Sequence, residues 1–278
     1  MNANTWLDGK SSALFTGVEL AHLQRAFSYG DGVFETIAVV AGQPRLFSFH
    51  LDRLRLGCQR LSIVLDEQQL HAEINRVLAD SGDGILRVVV ARAGFERGYR
   101  VRAGSASHRL LQFFQQPVAT AFADAPDAVL YLCRQRLGRQ PALAGLKHLN
   151  RLEQILARRE WNDVSITDGL MLDTQSNVIE TVVGNVFIVR DRQIMTPLLD
   201  QCGVAGVMRR AVMECLQVDV QETRLTLDDM YTAQEVFITS STRGIQAVVQ
   251  MGCVHWARGE FTAALQHQLD RYLAQTSH

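Results

Sequence analysis

A lysine in an apolar setting is the first residue in this chain with chemical promise. In the stretch AGLKHLN, Lys147 follows Ala144, Gly145 and Leu146 and precedes His148, Leu149 and Asn150. Lysines usually occupy solvated surface. An amine is a nucleophile only without its extra proton, and burial favours that form by destabilising the ammonium. Such a lysine can form a Schiff base with a carbonyl and carry protons beside it. On this stretch alone, the plainer alternative is a stem packed on leucines with its head in water.

Other stretches add charge or backbone amides. Glu180 lies in NVIETVVGNVFIV, an almost continuous apolar run. Carboxylates are depleted in such strands unless paired or functional, and a buried one needs a cationic or hydrogen-bonding partner. A protonated pyridine nitrogen would serve; a strand-edge glutamate facing water is the alternative. Arg53, in FHLDRL, sits three residues after His50. Arginine suits planar recognition of phosphate, although a solvent-facing helix charge gives the same pattern. In CGVAGVMRRAV, Gly203 and Gly206 precede a helical pattern, so Val207 and Met208 could offer backbone N–H groups to a phosphate. In FITSSTRGI, Ser240, Ser241 and Thr242 follow a strand and precede Gly244, where hydroxyls and amides could complete a phosphate cup. GDGVFET places Gly30 and Gly32 around Asp31, a tight turn before a strand.

The elements that must position these groups can be read along the chain. Residues 34–40 read as a strand, closed by the turn AGQP. From Phe49, the spacing of Leu51, Leu54, Cys58 and Leu61 predicts an amphipathic helix. A second helix is expected over 66–80. ILRVVVARAG and RLLQFFQQP read as strands joined by a loop at 94–108. PVATAFADAPD, with two prolines and few large apolar residues, reads as a linker over 117–127. It separates a smaller N-terminal α/β domain, 1–116, from a larger C-terminal domain, 128–278. The latter opens with a strand at 128–134. The Lys147 region and a helix to about 162 follow. Successive strands then turn at TQSN and RDRQ. A helix near 204–216, strands near 218–224, 235–240 and 245–250, and a closing helix complete an α+β reading.

Composition narrows the classes. The chain has 278 residues, of which 47% are hydrophobic and 21% charged, an ordinary globular balance with length enough for a substantial core. A formal net charge of −1 gives no global field for nucleic acid or an anionic membrane. No apolar run approaches the ~18 residues of a membrane span, and MNANTWLDGK lacks the basic-then-apolar order of a signal peptide. Cys58, Cys133, Cys202, Cys215 and Cys253 are scattered, with no C-x-x-C pair. Reduced thiols in a cytoplasmic protein, and no metal site, are the expectation.

In their order, these segments resemble the fold-type IV pyridoxal-phosphate enzymes, a family of aminotransferases for branched-chain and D-amino acids together with lyases. The matching segments are YGDGVFET, FHLDRLRLGCQRL, AGLKHLNRLEQ, NVIETVVGNVFIV, GVAGVMRR and VFITSSTRGIQAV. The resemblance implies a two-domain architecture whose larger, cofactor-binding domain has a β-barrel-like sheet core. It implies pyridoxal 5'-phosphate as cofactor and Lys147 as its Schiff-base residue. Glu180 is implied to pair with the pyridine nitrogen. Arg53, the amides of Val207 and Met208, and Ser241 are implied to hold the phosphate. Thr36 is implied to assist proton transfer or substrate orientation. LGRQPALAGLKHLNRLEQILAR is similar to the lysine segment of the lyases, and Leu152 stands where branched-chain aminotransferases have a tyrosine. ARAGFERGY resembles the lyases' glycine-rich loop, with Glu96 in place of a glycine, and makes Arg97 and Tyr99 the implied substrate contacts. The implied activity is elimination of pyruvate from 4-amino-4-deoxychorismate, leaving 4-aminobenzoate. An aminotransferase for D-amino acids, branched-chain amino acids or amines is the alternative, since it would use the same cofactor residues. A homodimer acting on a small molecule, with no nucleic-acid or membrane partner, is the family expectation.

Overall fold

The computed structural model describes residues 4–12, 23–94, 98–101, 104–216 and 218–276. The chain divides into two compact units: Met1–Val118 with Leu146–Asn150, and Ala119–Gly145 with Arg151–His278. The five residues around Lys147 thus count with the first unit, although both flanks belong to the second. Residues 119–127 count with the second, where the Asp270 carboxylate accepts from Phe122 N at 2.8 Å and Ala123 N at 2.9 Å.

The first unit contains β1 (Asn4–Leu7), β2 (Lys10–Ser11), α1 (Gln24–Tyr29), β3 (Gly32–Val40), β4 (Gln43–Pro44), α2 (Phe47–Arg60), α3 (Glu67–Leu78), β5 (Gly84–Arg92) and β6 (Ser107–Gln115). Its strands form one antiparallel sheet in the order β2-β1-β6-β5-β3-β4. The β1–β2 hairpin, unforeseen in the sequence reading, turns at Asp8 and Gly9, both with positive φ, a pairing typical of tight hairpin turns. Strand β3 alternates as a half-buried strand must. Val33, Ile37 and Val39 pack with Leu54 and Cys58 of α2 and with Leu70, Ile74 and Leu78 of α3. Helix α3 starts where the Asp66 side chain accepts from Gln69 N at 2.9 Å, an ordinary N-cap.

The second unit contains β7 (Ala128–Leu137), α4 (Leu152–Arg158), β8 (Asp168–Asp173), β9 (Val178–Thr181), β10 (Asn185–Arg190), β11 (Gln193–Pro197), α5 (Val207–Cys215), β12 (Val220–Thr223), α6 (Leu227–Tyr231), β13 (Glu235–Ser240), β14 (Gly244–Met251), β15 (Val254–His255) and α7 (Glu260–Thr276). Its sheet follows the order β12-β11-β10-β13-β14-β7-β8-β9, with β15 on β14. The β11–β12, β14–β7 and β7–β8 pairs are parallel. Strand β9, at one end of the path, also approaches β10 and β11, so the sheet curls around an apolar core of Leu130, Leu170, Val186, Ile188, Val236 and Val248. This curled sheet matches the barrel-like core that the resemblance implied. Helix α4 stops at Arg158, short of the expected end near 162, and the short α6 is an addition closed by a Thr226–Asp229 capping box. Among the described residues no helix is long and apolar enough to cross a membrane, and no group of three or more His, Cys, Asp or Glu side chains is placed to hold a metal.

The entry to β3 leaves no room for a side chain at its first residue. A Cβ on Gly32 would lie 2.6 Å from Val90 O and 2.9 Å from Leu149 Cδ1. Gly32→Ala is therefore expected to lower the unfolding free energy by about 1–3 kcal/mol, measured by denaturant titration. Wild-type stability in that variant would mean the crowding is relieved at no cost.

Candidate active site

The expected residues fall into two groups, one on each unit. The first unit carries Lys147, Thr36, Arg53 and Tyr99; Arg97 lies outside the described residues. The lysine segment runs antiparallel to the start of β3. Phe34 N donates to Lys147 O at 2.9 Å, Leu149 N donates to Gly32 O at 3.0 Å, and Val33 pairs with His148 between them. Asn150 Nδ2 adds a bond to Gly30 O at 3.2 Å. The backbone around Lys147 is thus held as an extra strand segment, and its Nζ lies 4.5 Å from the centroid of the Phe34 ring. Arg87, opposite Thr36 in the β3–β5 register, places its guanidinium carbon 5.1 Å from the same ring. By strand alternation Thr36 shares the face of Phe34.

The opposite face of β3 holds a polar cluster that the sequence reading did not single out. Glu35 falls on the core side between Val33 and Ile37 and is 1% exposed. Arg53 Nε donates to Glu35 Oε1 at 2.8 Å, and Arg53 Nη2 donates to Oε2. His50 Nδ1 lies 2.6 Å from the same Oε2. His50 and Arg53 are three apart on α2, so one helix face supplies both. Burial alone would push the Glu35 carboxyl up, but the adjacent Arg53 charge and these bonds bring it down to about 2. Burial holds His50 below its ordinary 6.5 despite the carboxylate. Arg53 is thus no solvated helix charge. The signal for Glu35 was the one that flagged Glu180: a carboxylate inside an apolar strand.

Tyr99 sits apart. It is 87% exposed, with its ring 5.4 Å from that of Tyr29. Tyr29 Oη accepts from Gly98 N at 3.0 Å.

The second unit carries Glu180, Val207, Met208 and Ser241. Glu180 is buried in β9, and its Oε2 accepts from Val204 N at 2.8 Å, while Gln154 Nε2 lies 3.5 Å from Oε1. The segment 203–205 is held in turn by Gly145, whose N donates to Gly203 O and whose O accepts from Ala205 N. Asn185 Nδ2 donates to Val204 O at 2.9 Å, and its Oδ1 would lie 2.0 Å from a Cβ on Gly206. A side chain there, directly before α5, would displace the Asn185 amide. The side chains of Val207 and Met208 are buried, so any ligand contact they make is through the backbone. No side chain caps α5, and the first N–H groups of a helix have no partner within it. Ser241 lies in the turn between β13 and β14, where Arg243 N donates to Ser240 Oγ. Helix α5 packs against β13.

A model of the family "Amino-transferase class IV" matches residues 32–251. An aminodeoxychorismate lyase of Vibrio harveyi is 34% identical over 255 residues, 88% of this chain and 94% of the relative. The crystal structure of 4-amino-4-deoxychorismate lyase from Pseudomonas aeruginosa superimposes with a TM-score of 0.88 at 40% identity, covering 97% of this chain and 99% of that one. A branched-chain aminotransferase from Thermoproteus uzoniensis has the same fold, with a TM-score of 0.81 at 21% identity.

The polar cluster has a pH signature. Glu35 has a pKa of about 2 in the fold against an ordinary 4.5, so between those values the unfolded chain binds more protons. Its contribution to stability is full above pH 4.5 and drains away as pH falls toward 2. His50, its pKa also lowered, acts in the same direction below 6.5. In Glu35→Gln the stability of the first unit should fall less steeply between pH 4.5 and 3 than in wild type, followed by denaturant unfolding at each pH. Parallel slopes would remove Glu35 from the acid response.

Proposed function

The chain belongs to the amino-transferase class IV family, and on that premise we infer that it is a pyridoxal 5'-phosphate-dependent carbon–oxygen lyase. Its reaction converts 4-amino-4-deoxychorismate to 4-aminobenzoate and pyruvate, a step of folate synthesis. The observation that carries this reading is the near-full-length likeness to two such lyases, at 34% and 40% identity. The likeness to the Thermoproteus aminotransferase is one of fold.

The residues present fit the cofactor. The first unit offers an amine on a pinned segment and a guanidinium held by a carboxylate. The second offers a buried carboxylate and a helix start reached through a glycine. These are the groups needed for an aldehyde, a phosphate and a pyridine nitrogen. When bound, the cofactor supplies an electron sink for charge developing on the carbon that bears the substrate nitrogen. Lys147 Nζ would hold the cofactor's aldehyde carbon, and its free amine would take the proton from the carbon that bears the substrate nitrogen. Glu180 keeps a proton at the pyridine nitrogen. Arg53, the amides of Val207 and Met208, and Ser241 bind the phosphate. Thr36 orients the substrate or assists proton movement, and Arg97 and Tyr99 meet its carboxylates. The bond between the ring carbon and the enolpyruvyl oxygen then breaks, the departing enolpyruvate takes a proton at its methylene carbon to become pyruvate, and the remaining ring becomes aromatic. Aromatisation drives the step, so no amino acceptor is needed.

We also propose a homodimer in the cytoplasm. Leu152, Ile155 and Leu156 line one face of α4 and are exposed; exposed apolar surface of this kind fits an interface. All five cysteines are free, in keeping with a reducing compartment. Light scattering on the purified protein should give twice the mass of one chain, and a monomer would refute the assembly.

Purified protein mixed with 4-amino-4-deoxychorismate is expected to release 4-aminobenzoate and pyruvate in equal amounts with no keto acid added. A need for a keto-acid acceptor would replace the lyase with an aminotransferase. Lys147→Ala should lower turnover by a factor of about 100 or more; wild-type turnover would strip Lys147 of its role. Glu180→Gln should keep the cofactor and slow proton removal, and an unchanged rate would place ring protonation elsewhere.

A further inference from the structure

We propose that Glu35 is the positioning residue for Arg53, fixing the guanidinium so that its outer edge meets the cofactor phosphate, with His50 completing the clamp. The proposal rests on the reading that Arg53 receives that phosphate.

The geometry is specific. Glu35 takes the Nε–Nη2 edge of the fork with both carboxylate oxygens, so the Nη1–Nη2 edge is turned away from it. A guanidinium has two such edges, each shaped for a planar or tetrahedral oxyanion. Binding one edge to a rigid carboxylate sets where the other points. The carboxylate is itself rigid: it stands on the central part of β3, is 1% exposed and is held from its other side by His50 Nδ1. His50 is equally buried. The Arg53 side chain is 11% exposed against 2% for Glu35, so the arginine is the member of the clamp nearest to the surface of the core.

Stability alone gives no reason for this cluster. Replacing a buried ion pair by apolar side chains of similar volume is often neutral or stabilising, and Glu35 lies in a row with Val33, Ile37 and Val39, where an apolar residue would continue the pattern. A free arginine side chain also carries about 2 kcal/mol of rotamer entropy, which an incoming anion would otherwise have to overcome. Clamped by Glu35, Arg53 has lost that freedom before any ligand arrives.

Phe34, next to Glu35, meets the Lys147 segment by main chain and by ring. Adjacent residues of β3 therefore touch the amine's segment and the guanidinium.

The test compares pyridoxal 5'-phosphate with pyridoxal, which lacks the phosphate, by absorbance titration of the full-length apoenzyme. Glu35→Gln is expected to weaken phosphate-ester binding by about tenfold or more and to leave pyridoxal binding unchanged. In an Arg53→Ala background the same substitution should cause no further loss of preference. Glu35→Asp, which keeps the charge, is read by the same ratio if the glutamine variant does not fold. Unchanged cofactor binding in Glu35→Gln, or an equal loss for both ligands, would overturn the proposal. If Arg53→Ala itself keeps the wild-type preference, the phosphate role of Arg53 fails, and the proposal with it.

Discussion

Two backbone hydrogen bonds, Phe34 N to Lys147 O and Leu149 N to Gly32 O, are the constraint from which the first unit's side of the chemistry follows. They turn a loop segment into a strand partner and so fix Lys147 to the register of β3. A lysine on a free loop would sample many positions, and the Schiff-base role proposed for Lys147 needs one. Once the segment is fixed, the pleat of β3 sorts the rest. Even-numbered Phe34 and Thr36 face the amine side, and odd-numbered Glu35 faces the helices that bring His50 and Arg53. A one-residue slip would exchange the two sets. The crowding at Gly32 and the bond from Asn150 to Gly30 hold the register against that slip.

The second unit solves a related problem with different means. There the carboxylate, Glu180, accepts a loop amide from Val204. The same loop, 203–206, leads into α5. One short segment therefore serves both the buried carboxylate and a helix start. Asn185 locks it from the side, holding Val204 O and filling the space beside Gly206. The structure builds this corner from backbone groups because backbone amides carry no rotamer freedom and keep their direction.

Much of this was legible in the residues. The alternation of β3 and the spacing of α2 gave those elements to within a few positions, because a 3.6-residue or two-residue period follows directly from which face is buried. Lys147 and Glu180 were visible as charges in the wrong surroundings. Glu35 carried the same mark, in FETIAVV as Glu180 does in IETVVGN, yet passed as part of a turn-and-strand motif because its partners lie on a separate helix. Arg53 read as a helix charge for the same reason: one helix gives the face, but not what packs against it. The pairing of 146–150 with β3 left no local pattern at all. It joins residues more than a hundred positions apart, and five residues are too few to show a period.

The path of the chain has a consequence for how the first unit comes into being. Its last piece, Leu146–Asn150, is delivered only after the chain has left to make β7 and the segment up to Gly145. During synthesis, which proceeds from the N-terminus, the sheet around β3 can form while the edge that receives Lys147 still waits for its partner. The Lys147 amine thus arrives at a surface that is already shaped. A fragment ending at Val118 would contain the sheet, the helices and the Glu35 clamp, and would lack the lysine. The boundary of the folding unit and the boundary of the proposed site are drawn at different places along this sequence.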